Sequence, residues 1–142
     1  YDSNWNPSAT YGDLINPQDL GSGGGAWGAD DGGDGGGLVL ITAGNITLNG
    51  AIIANGGEAQ GSGSGAGSGG GVNIVTGTLT GDGFIGANGG NQRVGGGGGR
   101  IAIHFTGTLS LSPGGQIHAL GGQGSYGSAG NNGTVTINGV LY

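Results

Sequence analysis

Glycine tracts alternate along this chain with short aliphatic runs at a nearly fixed period, and this internal repeat restricts the fold more than any other feature. A motif of the form G-x-I-x-A-x-G-G occurs at residues 50–57, 83–90 and 115–122, so its copies begin 33 and then 32 residues apart. Each copy follows a triple glycine and an aliphatic stretch, and a truncated fourth copy occupies residues 134–142. Such a repeat predicts a stack of similar structural units.

The aliphatic runs have the two-residue period of β-strands. Apolar side chains alternate with polar or small ones, which marks half-buried strands. Disorder is the other state that a Gly- and Ser-rich composition indicates. Disordered chains, however, carry high net charge and few β-branched residues, whereas only 7% of these residues are charged. We therefore predict an ordered, all-β fold. The alternating pairs are Leu38 and Leu40, Ile46 and Leu48, Val72 and Ile74, Ile101 and Ile103, and Val135 and Ile137.

We expect each repeat to form one rung of a parallel β-helix (β-solenoid), with about three and a half rungs in all, because a chain that turns repeated tight corners pairs each strand with its equivalent one rung away. In the first repeat the predicted strands are 38–42, 46–49 and 51–54, with corners at 43–45 and at Gly50. Gly50, Gly83 and Gly115 share the second corner, where a Cβ is expected to clash with the rung below. The predicted core ladder consists of Ile52, Ile85 and Ile117 and of Ala54, Ala87 and Ala119.

The rest of each period is a glycine tract, at 21–37, 56–71, 89–99 and 121–133. Two structures are open: loose loops on one face, or an attached layer of polyproline-II-like segments that pack by the close backbone approach only glycine permits. The similar lengths of the tracts favour the layer, since free linkers have no reason to keep a register. On this interpretation Gly97 is a packed position.

Residues 1–20 lack the repeat and are predicted to form a segment distinct from the solenoid of residues 21–142. An open terminal strand exposes unpaired backbone groups, so residues 1–20 either cap the first rung or pair with the last rung of a neighbouring copy. Residues 134–142 are predicted to be an open strand at the other end. Head-to-tail pairing of this kind generates filaments. The residues assigned to assembly are Tyr1, Trp5, Tyr11, Val140, Leu141 and Tyr142.

Several motifs together resemble a known class of sequences. The Y-G-D-L at 11–14, Pro17, the L-G-S-G-G-G at 20–25, the G-x-I-x-A-x-G-G units and the G-G-G-G-G-R-I-A-I at 95–103 are similar to the glycine-rich repeat modules of very large bacterial cell-surface proteins. The resemblance covers nearly the whole chain. It implies an exported protein with an adhesive or structural role, and it transfers no catalytic residue.

Composition excludes several kinds of chemistry. Cysteine is absent, which removes disulfides, thiolate metal sites and thiol redox chemistry. A formal net charge of −6 without lysine disfavours nucleic-acid binding and a phosphate-binding P-loop. No apolar run approaches the ~18 residues of a membrane span. Low charge, the absence of thiols and a first residue other than Met predict an extracellular or cell-surface location.

Asp30, Asp31 and Asp34 form the only carboxylate cluster in the sequence. Carboxylates and glycine carbonyls are the ligands that Ca²⁺ prefers, so calcium is the one cofactor that the sequence suggests. A solvated acidic loop is the alternative, because the cluster occurs in one repeat only and matches the calcium-binding nonapeptide poorly. His104 and His118 are interpreted as surface side chains.

Thr-x-Thr spacing recurs at 76–78, 106–108 and 134–136, a pattern typical of the flat hydroxyl arrays of ice-binding β-solenoids. The first repeat, however, has Ala43-Gly44-Asn45 at the equivalent corner, and the last pair aligns with a different strand. We therefore interpret these threonines as ladders that stabilise the sheet. Asn45 and Asn132 begin formal N-glycosylation sequons.

These observations favour a non-enzymatic extracellular structural protein whose partners are copies of itself in a surface filament. The alternative is a carbohydrate- or surface-binding adhesin module of a larger exported protein, in which exposed Trp27 and Tyr126 form a stacking platform for surface glycans. An enzyme is the third possibility. Parallel β-helices host polysaccharide lyases, but those enzymes present acidic and basic residues on one sheet, and this chain has too few.

Overall fold

The computed structural model describes residues 11–61, 63–113 and 115–142, which form β-strands and the turns between them. No helix occurs in these ranges, which confirms the prediction of a strand-rich, helix-free fold. Tyr1 and Trp5 lie outside the described residues. The strands are β1 (Leu38–Thr47), β2 (Ala51–Ile53), β3 (Gly71–Thr80), β4 (Phe84–Gly86), β5 (Gln92–Val94), β6 (Arg100–Phe105), β7 (Ile117–His118), β8 (Gly124–Ser128), β9 (Thr134–Ile137) and β10 (Val140–Leu141).

Most strands pair in parallel with the equivalent strand of the neighbouring repeat. The largest sheet has the order β1-β3-β6-β9-β10, the second sheet has the order β2-β4-β7, and β5 pairs with β8. Val39 lies beside Val72, Val72 beside Ile101, and Ile101 beside Val135. Equivalent side chains of successive repeats therefore form columns. Because β10 runs antiparallel to β9, the largest sheet is mixed.

The corner expected at residues 43–45 lies within a continuous strand. β1 pairs with β3 on both sides of this point, so the prediction of two separate strands is wrong. At this point the alternation of buried and exposed side chains shifts by one residue. In β3, Ile74 and Thr76 are buried, but the next buried side chain is that of Leu79, three residues further on. Gly77 lies at the shift, where the absence of a Cβ lets the strand bend without breaking its pairing.

The core contains side chains from both the largest and the second sheet. Ile52 pairs with Ile85, and Ile85 pairs with Ile117, so the isoleucines expected in the core ladder form one column. Ile85 and Ile117 are buried at 0% and 1% exposure, whereas Ile52 in the first repeat is only partly buried. The alanine column is buried throughout and consists of Ala54, Ala87 and Ala119.

The glycine tracts pack backbone against backbone. The N–H groups of Gly96 and Gly99 donate to carbonyl groups in residues 87–90, at 3.0 and 2.6 Å. Residues 67–70 and 130–133 make the equivalent bonds in the neighbouring repeats. Bonds from every third residue match the three residues per turn of polyproline II. The tracts are therefore ordered parts of the structure rather than loose loops.

Most tract glycines leave no space for a side chain, but Gly97 does. A Cβ on Gly96 would lie 2.6 Å from the carbonyl carbon of Gly67 and closer still to its oxygen. A Cβ on Gly97 would meet nothing nearer than the carbonyl oxygen of Asn131, at 3.8 Å. The expectation that a side chain at Gly97 meets a packed neighbour is therefore wrong, although the Gly97 carbonyl accepts from the Gly69 N–H at 2.9 Å and its backbone belongs to the packed tract.

The glycines of the second corner differ in the same way. A Cβ on Gly83 would lie 2.6 Å from the carbonyl oxygen of Leu48, as predicted for a clash with the repeat below. Gly50 has open space at this position, and a Cβ on Gly115 would reach only an ordinary 3.4 Å from Ser112. The expected clash is therefore wrong for Gly50 and Gly115. Gly50 belongs to the first repeat, where no described residue lies close enough to obstruct a Cβ.

Residues 11–20 form a loop, here called the crossing loop, that lies over the outer face of the largest sheet. Three consecutive residues of the loop each contact a different strand. The carbonyl of Leu14 accepts from the hydroxyl of Thr136 at 2.9 Å, His104 Nε2 lies 2.7 Å from the carbonyl oxygen of Ile15, and Asn16 Oδ1 accepts from the Asn73 amide at 2.6 Å. Beneath the loop, Asn73, Ala102 and Thr136 are at most 9% exposed.

The turn of the crossing loop is fixed by the carboxylate of Asp13. Asp13 Oδ1 accepts from the backbone N–H groups of Ile15 and Asn16 at 2.8 and 3.0 Å. The bonds from Asn16 and Ile15 lower the pKa of Asp13 below its ordinary value. The loop lies on the outer face of its own chain, and residues 11–20 do not pair with the edge of β1. The predicted cap or inter-subunit segment of residues 1–20 stays a prediction, since residues 1–10 lie outside the described residues.

Candidate functional site

The first end of the stack leaves core side chains partly open. Val72, Ile74, Leu79 and Ile85 of the second repeat are completely buried. Their equivalents in the first repeat are only partly buried, although they pack against the same core. β1 is the edge strand of the largest sheet and β2 that of the second, among the described residues. We call this surface the first end; its side chains are Val39, Ile41, Ile46, Leu48 and Ile52.

The C-terminal residues form a hairpin. β9 turns at Asn138 and Gly139, whose φ angles of 47° and 79° suit a tight two-residue turn. β10 then pairs back onto β9, with Val140 beside Ile137 and Leu141 beside Thr136. The prediction that residues 134–142 form one open strand is therefore wrong, because the Asn-Gly turn allows the chain to cover part of its own edge.

The three C-terminal apolar side chains assigned to assembly remain exposed on this hairpin. Val140, Leu141 and Tyr142 are 59%, 60% and 68% exposed. Tyr142 also lines an open groove of about 370 Å³. Its other lining residues include Ile117 of β7, Ala119 and Leu120 directly after β7, and Val135 of β9. We call this the end groove, and it lies beside β7, the edge strand of the second sheet.

Tyr11, which was assigned to assembly with Tyr1 and Trp5, contacts its own chain. Its hydroxyl donates to the carbonyl of Leu20 at 2.9 Å and lies 2.8 Å from Ser22 Oγ. The Arg100 guanidinium carbon lies 5.5 Å from the centre of its ring. Tyr11 therefore fastens the base of the crossing loop, and its assignment to a contact between copies stays a prediction.

The acidic cluster does not gather into a metal site. In the described ranges, no group of three or more Asp, Glu, His or Cys side chains is arranged to hold a metal ion. The backbone of this segment is engaged instead: Gly57 N–H donates to the carbonyl of Asp34 at 2.7 Å, and the Ser64 hydroxyl donates to that of Asp30 at 3.1 Å. The calcium prediction for Asp30, Asp31 and Asp34 is therefore not supported by the geometry.

A polar groove of about 380 Å³ runs along the junction of the second sheet and the glycine tracts. Its asparagines form a ladder, since Asn88 N–H donates to Asn55 Oδ1 and Leu120 N–H to Asn88 Oδ1, both at 2.8 Å. Glu58 and Gln123 also line it. The ladder fixes the register of the repeats and leaves the amide N–H₂ groups as donors at the groove.

The remaining sequence candidates are dispersed. Trp27 is 55% exposed, and its ring lies against Gly63, where a Cβ would be 2.7 Å from the indole Cγ. His104 contacts the crossing loop, and His118 Nε2 lies 3.0 Å from the carbonyl oxygen of Gly115. The ring centres of His118 and Phe84 are 5.4 Å apart. Neither histidine belongs to a metal-binding group among the described residues.

The sequence did not indicate the crossing loop or the end groove. A loop that lies across a sheet leaves no periodic pattern in the sequence. Asp13 is a local signal for a turn, but it does not indicate where the loop lies. The groove depends on which strand ends at the edge of the second sheet. No helix in the described part of the chain is long and apolar enough to cross a membrane. No protein-family model matches the chain, and neither a curated protein nor a solved structure was found to be significantly similar to it.

Proposed function

We propose that the chain is a β-solenoid with an attached polyproline-II-like glycine layer, and that it is a non-catalytic extracellular subunit that assembles head-to-tail through the two ends of the stack. The observation that carries the proposal is the contrast in burial between repeats. The column of Ile52, Ile85 and Ile117 is fully buried at its second and third positions but only partly buried at its first. A neighbouring copy placed against Ile52 completes that burial.

The two ends differ, so the contact joins the first end of one copy to the end groove of the next. β10 already occupies part of the edge of β9, which prevents β1 of another copy from pairing along the whole strand. Beyond β4, no other described strand pairs with β7, although Pro113 forms an isolated bridge with Ile117 at this edge. The proposed contact therefore places β2 against β7, with Ile52 above Ile117 and Ala119. An interface between two different surfaces can add one copy after another. Where the rotation between successive copies does not close into a ring, the product is a filament.

Sedimentation velocity and negative-stain microscopy of the 142-residue chain test this proposal. Leu120 lines the end groove and is 48% exposed, so Leu120→Glu is expected to block addition at that groove without disturbing the fold. Val75→Glu is the matched control, because Val75 is 45% exposed but lies on the outer face of β3. Leu120→Glu subunits retain the first end, so mixing a minor fraction into the intact chain is expected to shorten filaments.

A stable monomer of the intact chain at high concentration overturns the assembly proposal. Equal loss of assembly in Leu120→Glu and Val75→Glu overturns the proposed surface while leaving assembly itself intact.

A glycan-binding adhesin module is the second candidate, supported by one observation. The exposed indole of Trp27 provides a flat stacking surface. Binding of the monomeric chain to immobilised polysaccharide, lost in Trp27→Ala and kept in Val75→Glu, is the expected result for this function. Undiminished binding by Trp27→Ala contradicts it.

A further inference from the structure

Two columns of hydroxyl and amide side chains begin on the largest sheet beyond its corner and continue in the third repeat at the isolated bridge between Leu79 and Leu109. We name them the hydroxyl face. Asn45 pairs with Thr78, and Thr47 pairs with Thr80. In the third repeat, Thr108 O accepts from Leu79 N–H at 2.9 Å and Ser110 N–H donates to Leu79 O at 3.0 Å. The columns are therefore Asn45, Thr78 and Thr108, and Thr47, Thr80 and Ser110.

The residue between the two columns points inward in every repeat. Leu79 is completely buried, and Ile46 and Leu109 pack against the core. The flanking side chains consequently face outward; those of the first and third repeats are exposed, and Thr78 and Thr80 are partly exposed. The Thr-x-Thr pair at residues 76–78 does not belong to this face, because Thr76 is buried at 5% exposure.

Strand geometry sets the spacing of the hydroxyl face in two directions. Side chains two residues apart on one strand are separated by about 6.6 Å, and neighbouring strands by about 4.8 Å. Threonine is stiff at χ1, and the Thr78 hydroxyl donates to Asn45 Oδ1 at 2.8 Å, which orders that column further. The face is thus a small, rigid, two-dimensional lattice of hydrogen-bonding groups.

We propose that the hydroxyl face binds ice. Its hydroxyl and amide groups can donate and accept. The Thr78 and Ser110 hydroxyls donate within the protein, to Asn45 Oδ1 at 2.8 Å and to the Gly81 carbonyl at 3.4 Å, and remain acceptors for water. Water oxygens on the prism faces of ice repeat at similar intervals in two directions. The face contains no charged group and no large outward apolar side chain. It therefore lacks the arginine or aromatic anchors of protein interfaces and the cations that nucleic acid requires. This inference does not rest on self-assembly.

The test measures ice recrystallisation inhibition and thermal hysteresis of the intact chain and of two variants. Thr80→Tyr places a bulky ring at the middle of the second column. Thr42→Tyr is the matched control, because Thr42 is an exposed threonine of β1 on the other side of the corner. Circular dichroism melting establishes that both variants are folded. We expect activity in the intact chain and in Thr42→Tyr, and its loss in Thr80→Tyr.

Two outcomes overturn the proposal. One is an intact chain with no more effect on ice growth than albumin at the same concentration. The other is equal activity in the two folded tyrosine variants. Binding to crystalline cellulose without any effect on ice also overturns it and assigns the face to a carbohydrate lattice instead.

Discussion

Substitution of adjacent glycines tests whether the glycine tracts pack as the structure describes. In Gly96→Ala the new Cβ lies 2.6 Å from the carbonyl carbon of Gly67, a distance that real Cβ atoms essentially never show. The neighbouring segment has to move, and its movement strains the bonds that Gly96 makes to Gly90 and from Gly122, at 3.0 and 2.8 Å. Overpacking of this kind costs about 1–3 kcal/mol.

Gly97→Ala is the matched control within the same tract. Its Cβ meets only the Asn131 carbonyl oxygen at 3.8 Å, and Gly97 is not among the residues with positive φ. Gly97→Ala is then expected to stabilise the protein by about 0.4–1 kcal/mol, because alanine lowers the conformational entropy of the unfolded chain. The two variants should consequently differ in unfolding free energy by roughly 1.4–4 kcal/mol, from the sum of both effects.

Urea unfolding and thermal melting followed by circular dichroism measure this difference. At about 3 °C per kcal/mol for a chain of this size, Gly96→Ala should melt several degrees below Gly97→Ala. Equal melting temperatures for the two variants would refute backbone packing of this tract, as would rapid amide exchange at the N–H of Gly96 in the native protein.

The remaining predictions concern the core, the crossing loop and the ladder. Ile85→Asp is expected to unfold the chain, since an unpaired charge buried in a core costs several kcal/mol, whereas Ile53→Asp at a 48% exposed position retains the native circular dichroism spectrum. Because the pKa of Asp13 is lowered in the folded state, its stabilising contribution is present above the unfolded pKa and lost as pH falls through the folded value; Asp13→Ala and the intact chain should differ in stability at neutral pH and converge in acid. Asn88→Ala and Asn91→Ala should each lower stability by about 1 kcal/mol in a denaturant titration, because each removes the acceptor of one backbone N–H, that of Leu120 or of Gln123.

The strand columns were predictable because they depend on local periodicity. The motif at 50–57, 83–90 and 115–122 aligned Ile52, Ile85 and Ile117, and the structure pairs the same three residues. Packed glycine tracts followed from composition and spacing. The positions of the individual open and obstructed glycines did not, because the rotation of each segment about its axis decides which Cβ position meets a neighbour.

The sequence by itself determined the all-β class, the alternation of inward and outward side chains, and the repeat length, since these arise from residues close together in the chain. Only the tertiary structure decided where residues 11–20 lie, because their contacts to Asn73, His104 and Thr136 span long separations and leave no periodic signal. It also decided the hydroxyl columns. One shift of alternation at the corner turns Thr76 inward and Thr78 outward, and a shift of one residue moves every later side chain to the other face.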